Sequence, residues 1–444
     1  MQQRTDKKFA GIEIPLGLTG THFFSLYLAS WIMGCLMTLP AVIQPAFLKE
    51  IVGIPPDLAG SINTGLQNMS QLATLLLIGL VGVASDKYGR RILIILGFAV
   101  CFIFYVVFGH SKVIALALGM NSLRGEILCT YVIRFAIGIG LVLSHPQFVT
   151  MVVDYTFEQG RGKGMALHAL MISLGALSVY GLFTQIASAV GILGLLYLGG
   201  LLSLFGTLVA RVGLVDRMHG KQTEKKGVKE IYRTVSKSFT LKASYCAAFV
   251  SRADLAIPST LLMVWMVSVA HTFGYSTFEA TARGGIILMS GSLFSLISYS
   301  VIGILLDRIG RTTVLIGTLI VSGIGYLLIA TTHNPFSNLM ILYVCLLSFG
   351  KNGAIVAGNT LASDAAPKQL LGSVLGGLNT VGTLGIILFL QSSGYLFDNV
   401  SYASPFLVKG LVNALFGMWV WKVKDKITAS QLGRKTIRGN SGEI

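Results

Sequence analysis

The chain has 444 residues, of which 53% are hydrophobic and only 12% charged, with a net charge of +16. A soluble domain carries about a quarter charged residues, and the mean hydropathy of +0.74 excludes one here. Basic residues cluster between long apolar runs rather than in one patch, which excludes a nucleic-acid surface and points to membrane orientation.

The N-terminus, "MQQRTDKKFAGIEIPLGL", reads as a polar, basic tail. The apolar run from Phe23 to Phe47 is longer than the core of a signal peptide and has no cleavage site after it, so it predicts a retained first helix. Runs of this length repeat to the C-terminus. Twelve spans are expected, at about 20–47, 57–85, 91–110, 128–154, 163–187, 190–214, 243–270, 280–306, 312–331, 338–363, 371–396 and 402–421. Runs of about 20 apolar residues fit helices rather than the short alternation of a barrel. The fold class is therefore all-α and integral to the membrane.

With both termini cytoplasmic, most lysines and arginines fall on that side. The opposite side holds Lys49, Lys112, Arg124, Arg283 and Lys409. This asymmetry predicts cytoplasmic termini, in a bacterial inner membrane. The polar stretch "VDRMHGKQTEKKGVKEIYRTVSKS" interrupts the pattern near the middle. It predicts a six-helix half over 1–214, a linker over 215–242, a second half over 243–421 and a basic tail over 422–444. Cys35, Cys101, Cys129, Cys246 and Cys345 lie in or beside apolar runs with no metal spacing, and read as packing residues.

Two loops repeat. "GVASDKYGRR" supplies Gly82, Asp86, Gly89, Arg90 and Arg91; "GILLDRIGRT" supplies Gly303, Asp307, Gly310 and Arg311. Each lies between the second and third span of its half, so the pair reports a duplicated six-helix unit. Gly82 and Gly303 suit close helix packing. Gly89 and Gly310 suit a positive φ. Asp86 and Asp307 could accept from a helix N-terminus, and the arginines could pair with Asp154 or Glu158.

These loops resemble the loop 2–3 signature of the major facilitator superfamily, complete in the first half and one arginine shorter in the second. "RFAIGIG", from Arg134 to Gly140, is similar to that superfamily's fourth-span motif, with Ile137 at a place often polar. "DYTFEQGRGKG" and "SDAAPKQLLGS" resemble its loop 4–5 and 10–11 signatures. The fifth span lacks the Gly-Pro pattern of drug–proton antiporters, and the sugar-porter Pro-Glu-Ser and Pro-Glu-Thr motifs are missing. The resemblance implies two pseudo-symmetric six-helix bundles whose first, fourth, seventh and tenth spans line a central cavity.

Four charges lie well inside spans: Arg134, Arg252, Asp254 and Lys351, on the fourth, seventh and tenth spans. Charges in lipid are expensive, so these should face a watery cavity and one another. At about 1.5 Å per residue Asp254 sits near the midplane. Arg252 and Asp254 are two apart and do not face each other on an ideal helix. Pro258 clashes with the carbonyl of Asp254 and should break the helix there. On the second span Asn63, Gln67, Gln71 and Thr74 share one face. Asn352 and Asn359 form a smaller face with Lys351, and His145 and His168 could titrate.

No enzyme motif, metal cluster or nucleotide loop is present, so neither enzyme activity nor a cofactor is expected. The expected function is secondary transport by alternating access, as a monomer. The reading put first is proton-coupled symport of a small organic anion or zwitterion, because three cations oppose one carboxylate. Proton-coupled efflux with Arg134 in the proton path is the alternative. A non-transporting receptor on the same scaffold is the alternative of another class.

Overall fold

The computed structural model describes residues 4–217 and 228–427. The middle of the expected linker and the end of the expected tail lie outside these residues.

The N-terminal segment is not an extended tail. It forms an antiparallel hairpin, β1 (Arg4–Phe9) with β2 (Ile12–Pro15), turning at Ala10 and Gly11, both at positive φ. The Phe9 ring lies 5.7 Å from Phe23 and 5.9 Å from Tyr27. Ile12 and Ile14 are buried, so the apolar residues of this stretch anchor it.

Fifteen α-helices follow among the described residues. In the first part of the chain these are α1 (Gly20–Phe47), α2 (Ala59–Tyr88), α3 (Arg90–Gly109), α4 (Ser111–Ala117), α5 (Leu123–Tyr155), α6 (Arg161–Ser178) and α7 (Ala187–Gly213). The remainder are α8 (Val228–Lys237), α9 (Phe239–Ser251), α10 (Ile257–Val269), α11 (Thr277–Arg308), α12 (Arg311–Ala330), α13 (Leu339–Ala365), α14 (Leu371–Asn399) and α15 (Ser404–Lys422). Among the described residues, eleven helical segments are long and apolar enough to cross a membrane. α15 lies at the expected twelfth span and carries Lys409 inside it.

The seventh span is broken where the sequence places the break. α9 ends at Ser251, a 3₁₀ turn covers Arg252–Leu255, and α10 starts at Ile257. Pro258 has no N–H to give to Asp254 O, so the α-helical ladder cannot run through.

The chain divides into two compact units. One holds Met1–Lys221 with Met263–Met289, the other Gln222–Leu262 with Ser290–Ile444. In the first, α1 packs on α6 and α3 packs on α5 and α7. In the second, α9 packs on α14 and α12 packs on α13 and α15. The same pairing scheme therefore recurs. Its tightest crossings are backbone to backbone. A Cβ on Gly34 of α1 would stand 2.2 Å from Ile172 O of α6, and one on Gly175 of α6 would stand 2.3 Å from Trp31 O. In the second unit a Cβ on Gly385 of α14 would meet Phe249 O of α9 at 2.0 Å. In a bilayer, where helices gain nothing from leaving lipid for each other, such close approach supplies the dispersion contact that joins them.

Candidate functional site

Asp254 sits in the 3₁₀ turn and is wholly buried. Its Oδ1 pairs with Lys409 Nζ at 2.6 Å and accepts from the Tyr326 hydroxyl at 3.0 Å. Its Oδ2 accepts from Asn413 Nδ2 at 2.8 Å and from Ser322 Oγ at 3.4 Å. Asn413 also donates to Ser322 Oγ at 2.8 Å and accepts from Lys409. Ser322 and Tyr326 are four apart on α12, and Lys409 and Asn413 four apart on α15, so each helix presents one polar face to the turn. The Lys409 ammonium also lies over the Tyr326 and Phe389 rings, 5.6 and 5.3 Å from their centroids. Both charges are buried, and every oxygen of the carboxylate is used.

Lys409 therefore corrects the expectation that counts it with the outer-side cations and not with the charges inside spans. It lies five residues inside α15 and is 2% exposed. Its carboxylate partner is the acid that the sequence pattern left to Lys351 or Arg134. Lys351, on α13, is half-buried within electrostatic reach of Asp254, with no hydrogen bond or ion pair among the described residues.

Arg252 points elsewhere. Its Nη2 donates to Asn379 Oδ1 of α14 at 2.5 Å and to Asn359 Oδ1 of α13 at 3.5 Å. Asn352 is not part of a face with Lys351. It donates to Ser298 Oγ and accepts from Tyr299 on α11, both at 3.2 Å. One helical turn cannot aim neighbours such as Lys351 and Asn352 in one direction, and α11 claims the amide.

The first unit has its own buried cation. Arg134 on α5 is 1% exposed and donates from Nη2 to Gln67 Oε1 of α2 at 3.2 Å. Asn63 accepts from Gln44 of α1 at 3.0 Å and donates to Ala59 O at 2.7 Å. The stripe on α2 thus bridges to two helices. Gln71 is half-buried with no hydrogen bond among the described residues. His145 is half-buried, its ring 6.4 Å from that of His168, which is bonded to Ser30 Oγ at 2.9 Å.

The repeated loops differ in detail from the expectation. Gly89 and Gly310 have φ of 95° and 88°, which only glycine adopts readily. The N-terminus of α3 is capped by Asp216, not by Asp86. Asp216 Oδ1 accepts from the backbone N–H groups of Arg90 and Arg91, each at 2.9 Å. Asp86 is exposed, has no hydrogen bond or ion pair among the described residues, and acts on Arg90 through its charge. Arg90 is ion-paired with Asp154 and donates to Thr150 O at 3.0 Å, while Arg91 donates to Arg211 O. In the second unit Arg311 pairs with Asp364 at 3.1 Å and with Asp307 at 3.8 Å. Asp364 takes the place of Asp154, as the similar loops suggest. Among the described residues, no atom outside its own stretch of helix lies within 4 Å of a Cβ built on Gly303, so close packing among them does not explain that glycine. Asp216→Ala is expected to lower stability by about 1 kcal/mol, the usual cost of a lost cap, and Asp86→Ala by less. Thermal unfolding of the two purified variants checks the order.

The residues that the sequence pattern missed are Lys409, Asn413, Ser322, Tyr326 and Asp216. A signal existed for the first two: a lysine and an asparagine four apart within an apolar run. Asp216 lay in the polar linker, where nothing marks one acid among many charges.

A family model described as Major Facilitator Superfamily matches residues 26–299 and 244–439. The chain belongs to the major facilitator superfamily. This superfamily comprises secondary transporters, and the chain is a multi-pass membrane protein of that class. Among curated relatives it is 29% identical over 399 residues to magnetosome protein MamH of Paramagnetospirillum magneticum, covering 90% of this chain and 91% of MamH. It is 24% identical over 413 residues to magnetosome protein MamZ of Magnetospirillum gryphiswaldense, covering 91% of this chain but 63% of MamZ. Among solved structures, a D-xylose–proton symporter superposes with a TM-score of 0.72 at 15% identity, over 90% of this chain and 97% of that one. The nucleoside transporter NupG superposes with a TM-score of 0.67 at 14% identity, over 90% and 98%. At these identities the structural likeness establishes the superfamily fold.

Proposed function

We propose that this superfamily member is a proton-coupled symporter of a small organic anion or zwitterion, with Asp254 as the proton site. One observation carries the reading: Asp254 is the counter-ion of a buried lysine at a broken helix, while a second lysine within its electrostatic reach, Lys351, has no hydrogen bond or ion pair among the described residues. A proton on Asp254 removes the charge that holds Lys409. The turn is then tied to α12 and α15 by weaker, neutral hydrogen bonds. An anionic group arriving at Lys351 restores the charge balance, so proton and anion are linked through one cluster. Alternating access converts that linkage into coupled transport.

The test is proton uptake into proteoliposomes, read with an internal pH dye, on adding each of a panel of monocarboxylates, dicarboxylates and amino acids. At least one is expected to evoke uptake. Lys351→Gln is expected to weaken the half-saturating concentration about tenfold, the loss of one charge-assisted contact. Its loss of stability should be smaller than that of Asp254→Asn, because Lys351 has no hydrogen bond or ion pair to lose among the described residues. No proton movement with any member of the panel would overturn the reading.

Export is the second reading. It requires an Arg134 that does not face lipid, and Arg134 is buried. The sign of the pH change separates the two directions. We further propose cytoplasmic termini and a bacterial inner-membrane origin. The names of MamH and MamZ support a setting shared with magnetosome proteins.

A further inference from the structure

Arg134 poses a charge problem that the described residues of the first unit do not solve. The guanidinium carries five N–H donors and is charged at any physiological pH. It is 1% exposed. Nη2 has Gln67 Oε1 at 3.2 Å, but Nε and Nη1 are buried with no acceptor among the described residues.

The groups that act on it electrostatically are Tyr105 and Cys101, both on α3. Neither is an acid, and both are committed elsewhere. The Tyr105 hydroxyl donates to Leu36 O, and Cys101 Sγ lies 3.9 Å from Ile137 O. α2 contributes the neutral amide of Gln67. No carboxylate from any of these elements reaches the guanidinium. The same chain, in its second unit, gives a buried lysine an aspartate at 2.6 Å and surrounds both with donors. Neutral partners could satisfy the N–H groups of Arg134 but not its charge, and an uncompensated buried charge is strongly unfavourable.

We propose that Arg134 is the recognition residue of an occluded small-anion site in the first unit, distinct from the Asp254 cluster. The ligand is a single-charged group of carboxylate or halide size, bound by the guanidinium N–H groups that the protein leaves unused. Gln67 holds the guanidinium in place from α2.

The experiment is thermal unfolding of the purified full chain at constant pH and ionic strength. Sodium chloride or sodium acetate is titrated against sodium gluconate, whose anion is too large for the site. Chloride, acetate or both are expected to raise the melting temperature with concentration. A response to chloride alone identifies a resident halide; a response to acetate identifies the carboxylate of a solute. Arg134→Gln is expected to shift the midpoint of the response at least about tenfold, and Arg134→Lys several-fold, since the lysine keeps the charge and loses the planar donors. If Arg134→Gln does not fold, the Arg134→Lys midpoint decides. The proposal is overturned by a wild type that responds to no anion or equally to gluconate. It is also overturned by an unchanged midpoint in Arg134→Lys, or by a response that survives Arg134→Gln and disappears in Lys351→Gln.

Discussion

Asp254→Asn is expected to abolish proton-driven uptake in proteoliposomes and to destabilise the protein by about 3–5 kcal/mol, the usual cost of stranding one buried charge. The size follows from the geometry. Lys409 is 2% exposed, five residues inside α15, and Asp254 is its carboxylate partner at 2.6 Å. The one oxygen of an asparagine can take the place of Oδ1 toward Tyr326 or of Oδ2 toward Asn413 but not both, and the neutral amide leaves the ammonium uncompensated. Asp254→Asn combined with Lys409→Met should recover most of the stability, because a buried ion pair replaced by neutral groups of similar volume is often nearly neutral. Uptake should stay absent in the double variant. Thermal unfolding and uptake measured on the same preparations check both halves. A stable single variant with intact coupling would remove Asp254 from the mechanism, and a double variant as unstable as the single one would show that Lys409 is not what was stranded.

Gly175→Ala and Gly34→Ala are each expected to cost about 1–3 kcal/mol, the range for forcing atoms into a filled space. At both positions the new methyl would meet a carbonyl of the opposing helix, at 2.3 and 2.2 Å. Backbone cannot swing aside as a side chain can, so α1 and α6 must separate along their length. Gly303→Ala is the matched control. It lies in a helix with open space around its Cβ position, and Ala is intrinsically better in a helix by up to about 1 kcal/mol. It should be neutral or slightly stabilising. Melting temperatures of the three variants in one detergent test the contrast, and equal losses at all three positions would contradict it. The comparison also shows why a glycine in a repeated motif cannot be read from its repetition alone: Gly82 and Gly303 occupy matching places in the sequence, yet the packing reason proposed for them fails at Gly303.

Much of the architecture was legible because it depends on properties local to each segment. Apolar run length marks a membrane helix wherever it occurs, and the eleven apolar segments with α15 fall where the runs do. The break at Arg252–Leu255 follows from a covalent fact about Pro258. The turn at Gly89 and its repeat at Gly310 follow from a conformation that disfavours other residues. The place of Arg134, Arg252, Asp254 and Lys351 within long apolar stretches was equally visible, since charges inside apolar runs stand out.

What the tertiary structure decided is which of these charges meet. Helical periodicity says that Lys409 and Asn413 share a face, but not that this face turns to Asp254 rather than to lipid or to another helix. Counting Lys409 with the outer-side cations left it out of the charges inside spans, because the positive-inside rule assigns charges near span ends and does not see pairing. Asp216 illustrates the same limit in a polar segment: its role at the α3 N-terminus depends on where the end of α7 brings the chain. Arg134 shows it in reverse. Its sequence marks it as a buried cation of the fourth span, and only the packing of α2, α3 and α5 shows that no acid among the described residues of the first unit pairs with it. Local chemistry determines where a charge is; side-chain contacts between distant helices determine what it is for.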